Sequence, residues 1–441
     1  MLTLNYGTRL AQVAIVLPIV LVRFDDSQTL VWLQIEVFVG LLFIADAGIT
    51  PTFTRMVAAA AGESTEVRQE GRRIVRLDTP TALFFGVSGA LKRFNIIAVI
   101  IGSATLLALA GLSLARPVST LFDPRDGWMA FIGLCVATPF MIGANRYIAL
   151  LQGLGSLWRV NMWRAAANCA ASGSLILAAT ISNSVALLVW SSLLWRIVLC
   201  GVLRIAANRQ SRLQFGPPTN ASRSEIKQLL AFAWGPTWRS ALGLVTGYTT
   251  IQGAGVAFAQ LAAAPEAASV LLALRLFEGI KLFSAAPFVS QLPRMSRLYI
   301  QDRIEELVRL ASVRTGLTLA ISTLAGVLVA FFGNSALEVM GARTLLPSRE
   351  FLLILTIAIV IERFSNQQLQ LQSVTNNIIW HTANLFTTIA FTCFAYLNWL
   401  RAGNFDIPVS FALSYALVHL PYVVMHTPRE LRMVRLKRLK R

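Results

Sequence analysis

The chain has 441 residues, of which 56% are hydrophobic and only 14% are charged, and its formal net charge is +18. Soluble domains carry about 25% charged residues, so this composition excludes an ordinary soluble protein and indicates a polytopic membrane protein. The basic residues lie mainly between apolar segments, where the positive-inside rule accounts for them. The charge therefore does not indicate binding of nucleic acid.

Apolar runs of about 20 residues, the length that crosses a bilayer, recur along the whole chain. They predict an all-α polytopic membrane protein with about 12 transmembrane helices in two six-helix lobes around a central cavity. In chain order the helices are expected at 4–22, 30–53, 94–115, 128–151, 162–181, 185–205, 235–260, 267–291, 310–333, 350–372, 378–399 and 407–427.

The domain division follows from the one evident linker in the middle of the chain. The segment 211–230 contains Gly216-Pro217-Pro218 followed by polar and charged residues, a composition typical of loops. It predicts an N-terminal lobe at 1–210, a C-terminal lobe at 231–428 and a basic tail at 429–441. Between the second and third helices, the apolar stretch Thr79–Leu91 is too short to span and predicts a separate helix lying at the cytoplasmic interface.

Loop charge predicts the orientation. The segments 54–93, 152–164, 204–227, 294–314 and 429–441, with Arg9, hold about 27 Lys and Arg residues, whereas the opposite loops hold about six. Cytoplasmic loops carry the excess of basic residues. Both termini are therefore expected in the cytoplasm.

Ionisable residues also fall inside the predicted helices, where each charge costs roughly 2.5–3.5 kcal/mol unless something polar meets it. Cations exceed anions by about two, which balanced structural pairs would not produce. This pattern predicts a water-filled, cation-lined cavity and hence transport. The candidate substrate-binding residues are Arg146, Arg196, Arg239, Arg275, Lys281 and Arg363, with Gln367 and Gln370, and the candidate ion-coupling residues are Asp46, Glu36, Glu278 and Glu362.

The eighth helix allows two interpretations. Arg275, Glu278 and Lys281 are three residues apart, so Glu278 can reach both cations. They either neutralise one another at a helix contact, or Glu278 holds a cation ready for an anionic ligand.

The tenth helix carries a polar stripe down its cytoplasmic half. Because this stripe cannot face lipid, it either forms hydrogen bonds with a neighbouring helix or lines a water-filled cavity. Its members are Glu362, Arg363, Asn366, Gln367 and Gln370.

Other charges also leave alternatives open. Arg146 and Arg239 either face the cavity or reach the membrane interface. Asp46 and Glu36 either bind a proton or sodium ion or neutralise an Arg of another helix.

Enzymatic chemistry finds little support. The sequence has no phosphate-binding Gly loop, its three histidines form no metal-ligand cluster, and no predicted external loop exceeds about twenty residues. We therefore expect no catalytic residues, metal or cofactor. A membrane glycan polymerase or ligase, which needs a large external loop, remains a weaker alternative.

Several motifs resemble those of the Wzx-type flippases of polysaccharide repeat units. The motifs are Tyr6-Gly7-Thr8-Arg9-Leu10, Asp46-Ala47-Gly48 with Arg55, Pro236-Thr237-Trp238-Arg239 with Gln252 and Gly255, and Leu271–Leu276 with Ala286-Pro287-Phe288 and Leu292-Pro293. The Wzx-type flippases belong to a superfamily that includes multidrug and toxin extrusion transporters and the peptidoglycan-precursor flippase.

The resemblance implies a six-plus-six bundle that works by alternating access in the bacterial inner membrane. It implies a substrate linked to a polyprenyl carrier through pyrophosphate, for O-antigen, lipopolysaccharide or exopolysaccharide synthesis. Membrane lipid and a glycan polymerase or glycosyltransferases are the expected partners. The alternative within the same fold is drug efflux coupled to protons or sodium, which the excess of cations disfavours.

Overall fold

The computed structural model describes residues 15–42, 48–69, 73–217, 222–373, 380–402 and 406–426. Within these ranges the chain is almost entirely helical. The helices are α1 (15–23), α2 (Asp26–Leu41), α3 (Ile49–Ala61), α4 (Pro80–Ser119), α5 (Pro124–Gly153), α6 (Leu157–Ile181), α7 (Val185–Phe215), α8 (Arg223–Leu261), α9 (Ala264–Val289), α10 (Leu292–Ile300), α11 (Ile304–Val339), α12 (Arg349–Ser373), α13 (Trp380–Ala402) and α14 (Ile407–Ser414). α14 continues through a π-helical turn, Tyr415–His419, to residue 426.

The protein is an all-α multi-pass membrane protein, as the sequence predicts. Among the described residues, six helical segments are long and apolar enough to cross a membrane, and the order of the other helices fits about twelve spans. The six are α4, α5, α7, α11, most of α12 and the segment Ile407–His426. The exception to the all-α fold in the described ranges is one short antiparallel hairpin, formed by β1 (Glu66–Gln69) and β2 (Arg73–Arg76).

One predicted element is wrong. The apolar stretch at 79–91 is not a separate interfacial helix, because it forms the start of α4, a single helix of 40 residues. Thr79 caps this helix by accepting a hydrogen bond from the backbone N–H of Ala82. Leu83, Phe84 and Val87 are buried in a core shared with α3, α5 and α8, so packing against protein extends the helix beyond the bilayer-spanning length.

The predicted helix 30–53 is also interrupted. α2 ends at Leu41 and α3 begins at Ile49, after Gly48, whose φ of 71° lies in the left-handed region. A Cβ at Gly48 would lie 2.2 Å from the Cβ of Ser240, so both backbone conformation and close packing require glycine here. The candidate residue Asp46 lies outside the described residues.

The chain divides into two compact units. Unit 1 comprises Met1–Ile19 and Gln34–Val245, and unit 2 comprises Val20–Leu33 and Thr246–Arg441. The division therefore runs through both α2 and α8. The predicted lobe boundaries at residues 210 and 231 stay a prediction.

In unit 1, α5 contacts α3, α4, α6 and α7. The α3–α5 contact is tight at Gly153, where a Cβ would lie 2.5 Å from the side chain of Val57. At the opposite end of α5, Asp126 accepts hydrogen bonds from the backbone N–H groups of Val185 and Ala186 and so caps α7. These contacts fix the register of α5 against its neighbours.

In unit 2, α9 packs against α11 and α12, and α14 packs against α12 and α13. The C-terminal part of α8 joins this unit through side-chain hydrogen bonds. Thr250 of α8 and Thr388 of α13 share a hydrogen bond of 2.8 Å. The start of α2 joins it at Asp26, whose carboxylate accepts a hydrogen bond from Thr344 at 2.5 Å.

Candidate functional site

The interior of unit 2 contains a buried carboxylate that contacts two cations. Glu362 of α12 is 4% exposed. Its Oε2 atom lies 2.8 Å from Nζ of Lys281 on α9, and its Oε1 atom lies 2.8 Å from Nη2 of Arg363. Oε1 also accepts a hydrogen bond from the Asn366 amide at 3.1 Å. The predicted coupling residue Glu362 is therefore the counter-ion of two predicted substrate-binding cations.

A second carboxylate on α9 holds a third cation. Oε2 of Glu278 lies 3.4 Å from Nη1 of Arg275, and both side chains are about one-fifth to one-quarter exposed. Tyr248 and Gln252 of α8 donate hydrogen bonds to Glu278 at 2.8 and 3.1 Å. Lys281 is ion-paired with Glu362 of α12, whereas Glu278 is ion-paired with Arg275, so the ion pairs of these three α9 residues are not confined to α9.

Among the described residues, these ion-paired groups of unit 2 include one more cation than carboxylate. The cluster holds three cations (Arg275, Lys281 and Arg363) against two carboxylates (Glu278 and Glu362). Charge in a low-dielectric interior is costly unless it is balanced or hydrated.

The amide stripe of α12 continues from this cluster. Gln367 is buried, and within the described part of the chain neither its Oε1 nor its Nε2 atom has a hydrogen-bond partner. Gln370, one turn beyond Asn366, is half-buried. A buried amide without a partner is costly in a native protein, so Gln367 is a candidate for contact with a ligand or water.

A contact between polar groups of α13 and α14 was not predicted from the sequence. His419 is fully buried in the π-helical turn, and its Nε2 atom is 3.2 Å from Oδ1 of Asn384. Tyr415, also buried, packs against the His419 ring with centroids 4.7 Å apart and ring planes tilted by 38°. π-Helical turns are frequent at functional sites. No spacing in the sequence indicated this turn.

Unit 1 has a separate, partly polar cavity, and one of the predicted site residues lines it. Arg196 of α7 lines it together with Arg164 and Asn168 of α6 and Asn145 of α5. Arg164 was counted with the cytoplasmic loop 152–164, but α6 begins at Leu157, so Arg164 lies two turns inside the helix. The recurrence of Asn161, Arg164 and Asn168 at three- and four-residue steps could have revealed this polar face.

The other predicted residues of unit 1 lie apart from this cavity lining. Arg146 is half-buried with its guanidinium 5.6 Å from the Tyr147 ring centroid. Arg239 is exposed, and its guanidinium lies 6.0 Å from the Trp238 ring centroid. Glu36 is buried on α2, one turn before the cavity-lining Val39.

The described residues contain no group of three or more His, Cys, Asp and Glu side chains that could hold a metal ion.

Comparison with solved structures identifies the fold. A multidrug-resistance MATE-family transporter of the MOP superfamily, in its inward-facing conformation, is similar with a TM-score of 0.63 and 14% identity, over 92% of this chain and 94% of that chain. The lipid II flippase MurJ, in an inward closed conformation, is similar with a TM-score of 0.64 and 9% identity, over 100% of this chain and 93% of that one.

The chain has the fold shared by MATE transporters and MurJ. The outward-facing conformation of a MATE-family transporter is also similar, with a TM-score of 0.54 and 13% identity over 97% and 94% of the two chains. No family model and no curated protein sequence matches this chain. At these sequence identities the similarity establishes the fold but not the substrate, which has to be inferred from the chemistry of the site.

Proposed function

We propose that this protein is a flippase that moves a polyprenyl-pyrophosphate-linked oligosaccharide across the bacterial inner membrane by alternating access. The fold supports this class, because both a lipid flippase and drug transporters share it. The observation that carries the choice of substrate is the positive excess around Glu278 and Glu362 in unit 2. That excess favours an anionic head group over a cationic drug.

The residue chemistry suits a pyrophosphate. An Arg guanidinium binds phosphate oxygens through two parallel hydrogen bonds and stays charged at every working pH, whereas a Lys ammonium acts as a point charge. Arg275 is the most exposed of the three cations, at 24% against 18% for Lys281 and 14% for Arg363, so it is the one best placed to meet a ligand. Asn366, Gln367 and Gln370 supply amides that both donate to and accept from sugar hydroxyls. The polyprenyl tail remains in lipid.

The contacts also suggest which acid is unsuited to ion coupling. Glu362 already binds Lys281, Arg363 and Asn366. A proton or sodium ion that bound Glu362 would have to displace Lys281 or Arg363. We therefore assign Glu362 to holding these two cations in place. Glu278, whose partners are one guanidinium and two neutral groups, is the better coupling candidate in unit 2.

The test measures in which leaflet of the membrane the lipid-linked repeat units lie in cells. We expect cells lacking the protein to accumulate these lipids in the cytoplasmic leaflet, and the wild-type gene to restore export. Arg363→Ala should insert in the membrane and fail to restore export, whereas Arg401→Ala, an exposed Arg at the end of α13, should restore it. Normal export of every surface glycan in the deleted cells would refute the proposal.

Efflux of organic cations is the second candidate, because MATE-family transporters share the fold. Organic cations need acidic pockets, and the two carboxylates of the unit 2 cluster already contact cations. Increased drug sensitivity of the deletion strain together with unchanged glycan export would favour this candidate over the first.

Glycosyltransferases or a glycan polymerase are the partners that the first proposal requires, since they act before and after the transport step.

A further inference from the structure

The outer face of α4 carries a continuous strip of exposed side chains. Its members recur in pairs at four-residue steps, from positions 92 and 93 to positions 108 and 109. The isoleucines at positions 96, 97, 100 and 101 are between 47% and 62% exposed. Of the six helical segments that are long and apolar enough to cross a membrane, α4 is the least buried. This strip is therefore the surface of α4 that meets lipid.

Basic residues lie at both ends of the strip. Lys92 and Arg93 form its first pair, and Arg116 is exposed near the other end of the helix. From Arg93 to Arg116 the helix rises about 35 Å at 1.5 Å per residue. This rise is close to the thickness of the hydrocarbon core, roughly 30 Å, and the usual tilt of spanning helices accounts for the difference. The cations therefore lie at the two bilayer interfaces, two at one interface and one at the other.

Two tryptophans of α8 independently mark the interface at which Lys92 and Arg93 lie. The ring of Phe94 is 6.0 Å from the ring of Trp234. Trp234 and Trp238 are one turn apart, and both are exposed. Tryptophan side chains concentrate at the level of the lipid head groups. Lys92 and Arg93, which precede Phe94, therefore lie at head-group depth, on the side that loop charge predicts to be cytoplasmic.

The positive charge of this pair is not balanced by its surroundings. Neither α4 nor α3, which packs against it, contains an acidic residue. Ile226 of α8 lies against α4, and its neighbours Glu225 and Lys227 carry one charge of each sign. Among the described residues, no carboxylate forms an ion pair with Lys92 or Arg93. The pair therefore presents two positive charges to the head-group region.

We infer that Lys92 and Arg93 bind the head group of an anionic phospholipid in the leaflet at this end of α4. The ammonium and guanidinium groups donate charge-assisted hydrogen bonds to the lipid phosphate, and the acyl chains lie along the strip of isoleucines. A zwitterionic phospholipid carries a positive group beside its phosphate, so two neighbouring cations select for a head group with a net negative charge. This site lies on the outer surface of unit 1 and does not depend on the identity of the transported substrate.

The binding experiment mixes the purified full-length protein in a neutral detergent with phosphatidylglycerol or with phosphatidylcholine of the same acyl chains. Native mass spectrometry counts the bound lipids and gives the dissociation constant of the tightest site. We expect the wild type to bind phosphatidylglycerol more tightly than phosphatidylcholine. Each basic residue near a lipid surface contributes a factor of about five in affinity. Lys92→Gln and Arg93→Gln should therefore each weaken phosphatidylglycerol binding about fivefold, and the double variant about thirtyfold.

Arg116→Gln is the matched control, because it removes an exposed cation of the same helix at the opposite interface. It should bind phosphatidylglycerol like the wild type. The exchange Lys92→Arg/Arg93→Lys keeps both charges and should keep the affinity, which guards against misfolding at these positions. Equal affinity of the wild type for the two lipids, or unchanged phosphatidylglycerol affinity in Lys92→Gln/Arg93→Gln, would overturn the inference.

Competition distinguishes a bound phospholipid from a transported lipid. A short-chain prenyl pyrophosphate should leave phosphatidylglycerol in place. Displacement would assign the two cations to a prenyl-linked head group and overturn the assignment to a phospholipid. Flipping of a fluorescent lipid-linked oligosaccharide in vesicles that contain phosphatidylglycerol tests the proposed function separately. Flipping by a protein that shows no preference for phosphatidylglycerol refutes only this inference, and the preference without flipping refutes only the proposed function.

Discussion

Among single residues, Glu362 has a large expected effect on stability, because two cations depend on its carboxylate. Lys281 and Arg363 contact its two oxygens at 2.8 Å, and their side chains are only 18% and 14% exposed. Glu362→Gln leaves both cations without their counter-ion. Removal of one partner of a buried pair costs about 3–5 kcal/mol, so we expect a clear loss of thermal stability, measured by unfolding in detergent. Glu350→Gln, an exposed change in the first turn of the same helix, is the control.

A second substitution tests the cause of that loss. Lys281→Met removes one of the stranded cations and replaces it with an apolar side chain of similar length. The double variant Glu362→Gln/Lys281→Met should therefore be more stable than Glu362→Gln alone. Equal stability of the two would show that the ion pair contributes little to the folded state.

Substitution of Arg275 should affect transport strongly and stability only slightly, in contrast to substitution of Glu362. The ion pair between Arg275 and Glu278 is 3.4 Å long, against 2.8 Å for the two contacts of Glu362, and the two side chains are 24% and 20% exposed, so its loss should cost less than the loss of Glu362. Arg275→Ala should therefore unfold within a few degrees of the wild type and yet lose transport of the lipid-linked substrate in vesicles. Transport at the wild-type rate would assign Arg275 to helix packing.

The sequence predicted the charged positions of this cluster but not their partners. Charges inside long apolar segments identified Arg275, Lys281, Glu362 and Arg363, because their cost in lipid is independent of the detailed fold. Lys281 lies three residues from Glu278 yet pairs with Glu362 of another helix. Contacts within a helix follow from the spacing of its residues. Contacts between helices depend on how each helix is rotated about its axis and how deep it lies in the membrane, which the sequence alone does not specify.

At the scale of elements, the α3–α5 contact depends on one glycine. A Cβ at Gly153 would lie 2.5 Å from Val57 and 2.9 Å from the backbone oxygen of Thr54. Gly153→Ala should force these helices apart and cost about 1–3 kcal/mol through overpacking. Gly143→Ala, on the same helix with nothing within 4 Å, should be neutral or stabilise by up to about 1 kcal/mol through helix propensity. Thermal unfolding of both variants is the measurement, and equal effects would contradict the tight contact.

Helix positions could largely be predicted, but helix lengths could not. Hydropathy identifies the segment that lipid covers, so predicted spans such as 128–151 and 185–205 fall within α5 and α7. It does not show where protein packing extends a helix, as at the start of α4. Nor does it show where a backbone turn divides one, as at Gly48, since the flanking residues remain apolar.

At the scale of the whole molecule, the asymmetric distribution of basic residues predicts the orientation of every loop. Loops on one side carry about 27 Lys and Arg residues and those on the other about six. The four exposed positions Asp123, Ser222, Gln301 and Met340 lie between or beside the ends of long helices, two in each unit. Asp123 and Met340 are expected outside the cell, and Ser222 and Gln301 in the cytoplasm.

Single cysteines at these positions test the orientation with a thiol reagent that does not cross membranes. The four native cysteines are free, so they are first replaced by Ala or Ser. Intact cells should be labelled at Asp123→Cys and Met340→Cys, and Ser222→Cys and Gln301→Cys should react only after permeabilisation. Labelling of Ser222→Cys in intact cells would show that the topology is the reverse of the predicted one. The amide stripe of α12 would then lie at the outer end of its helix. Because the sign of the loop charge determines the orientation of both units in the same way, Gln301→Cys would then have to react as well.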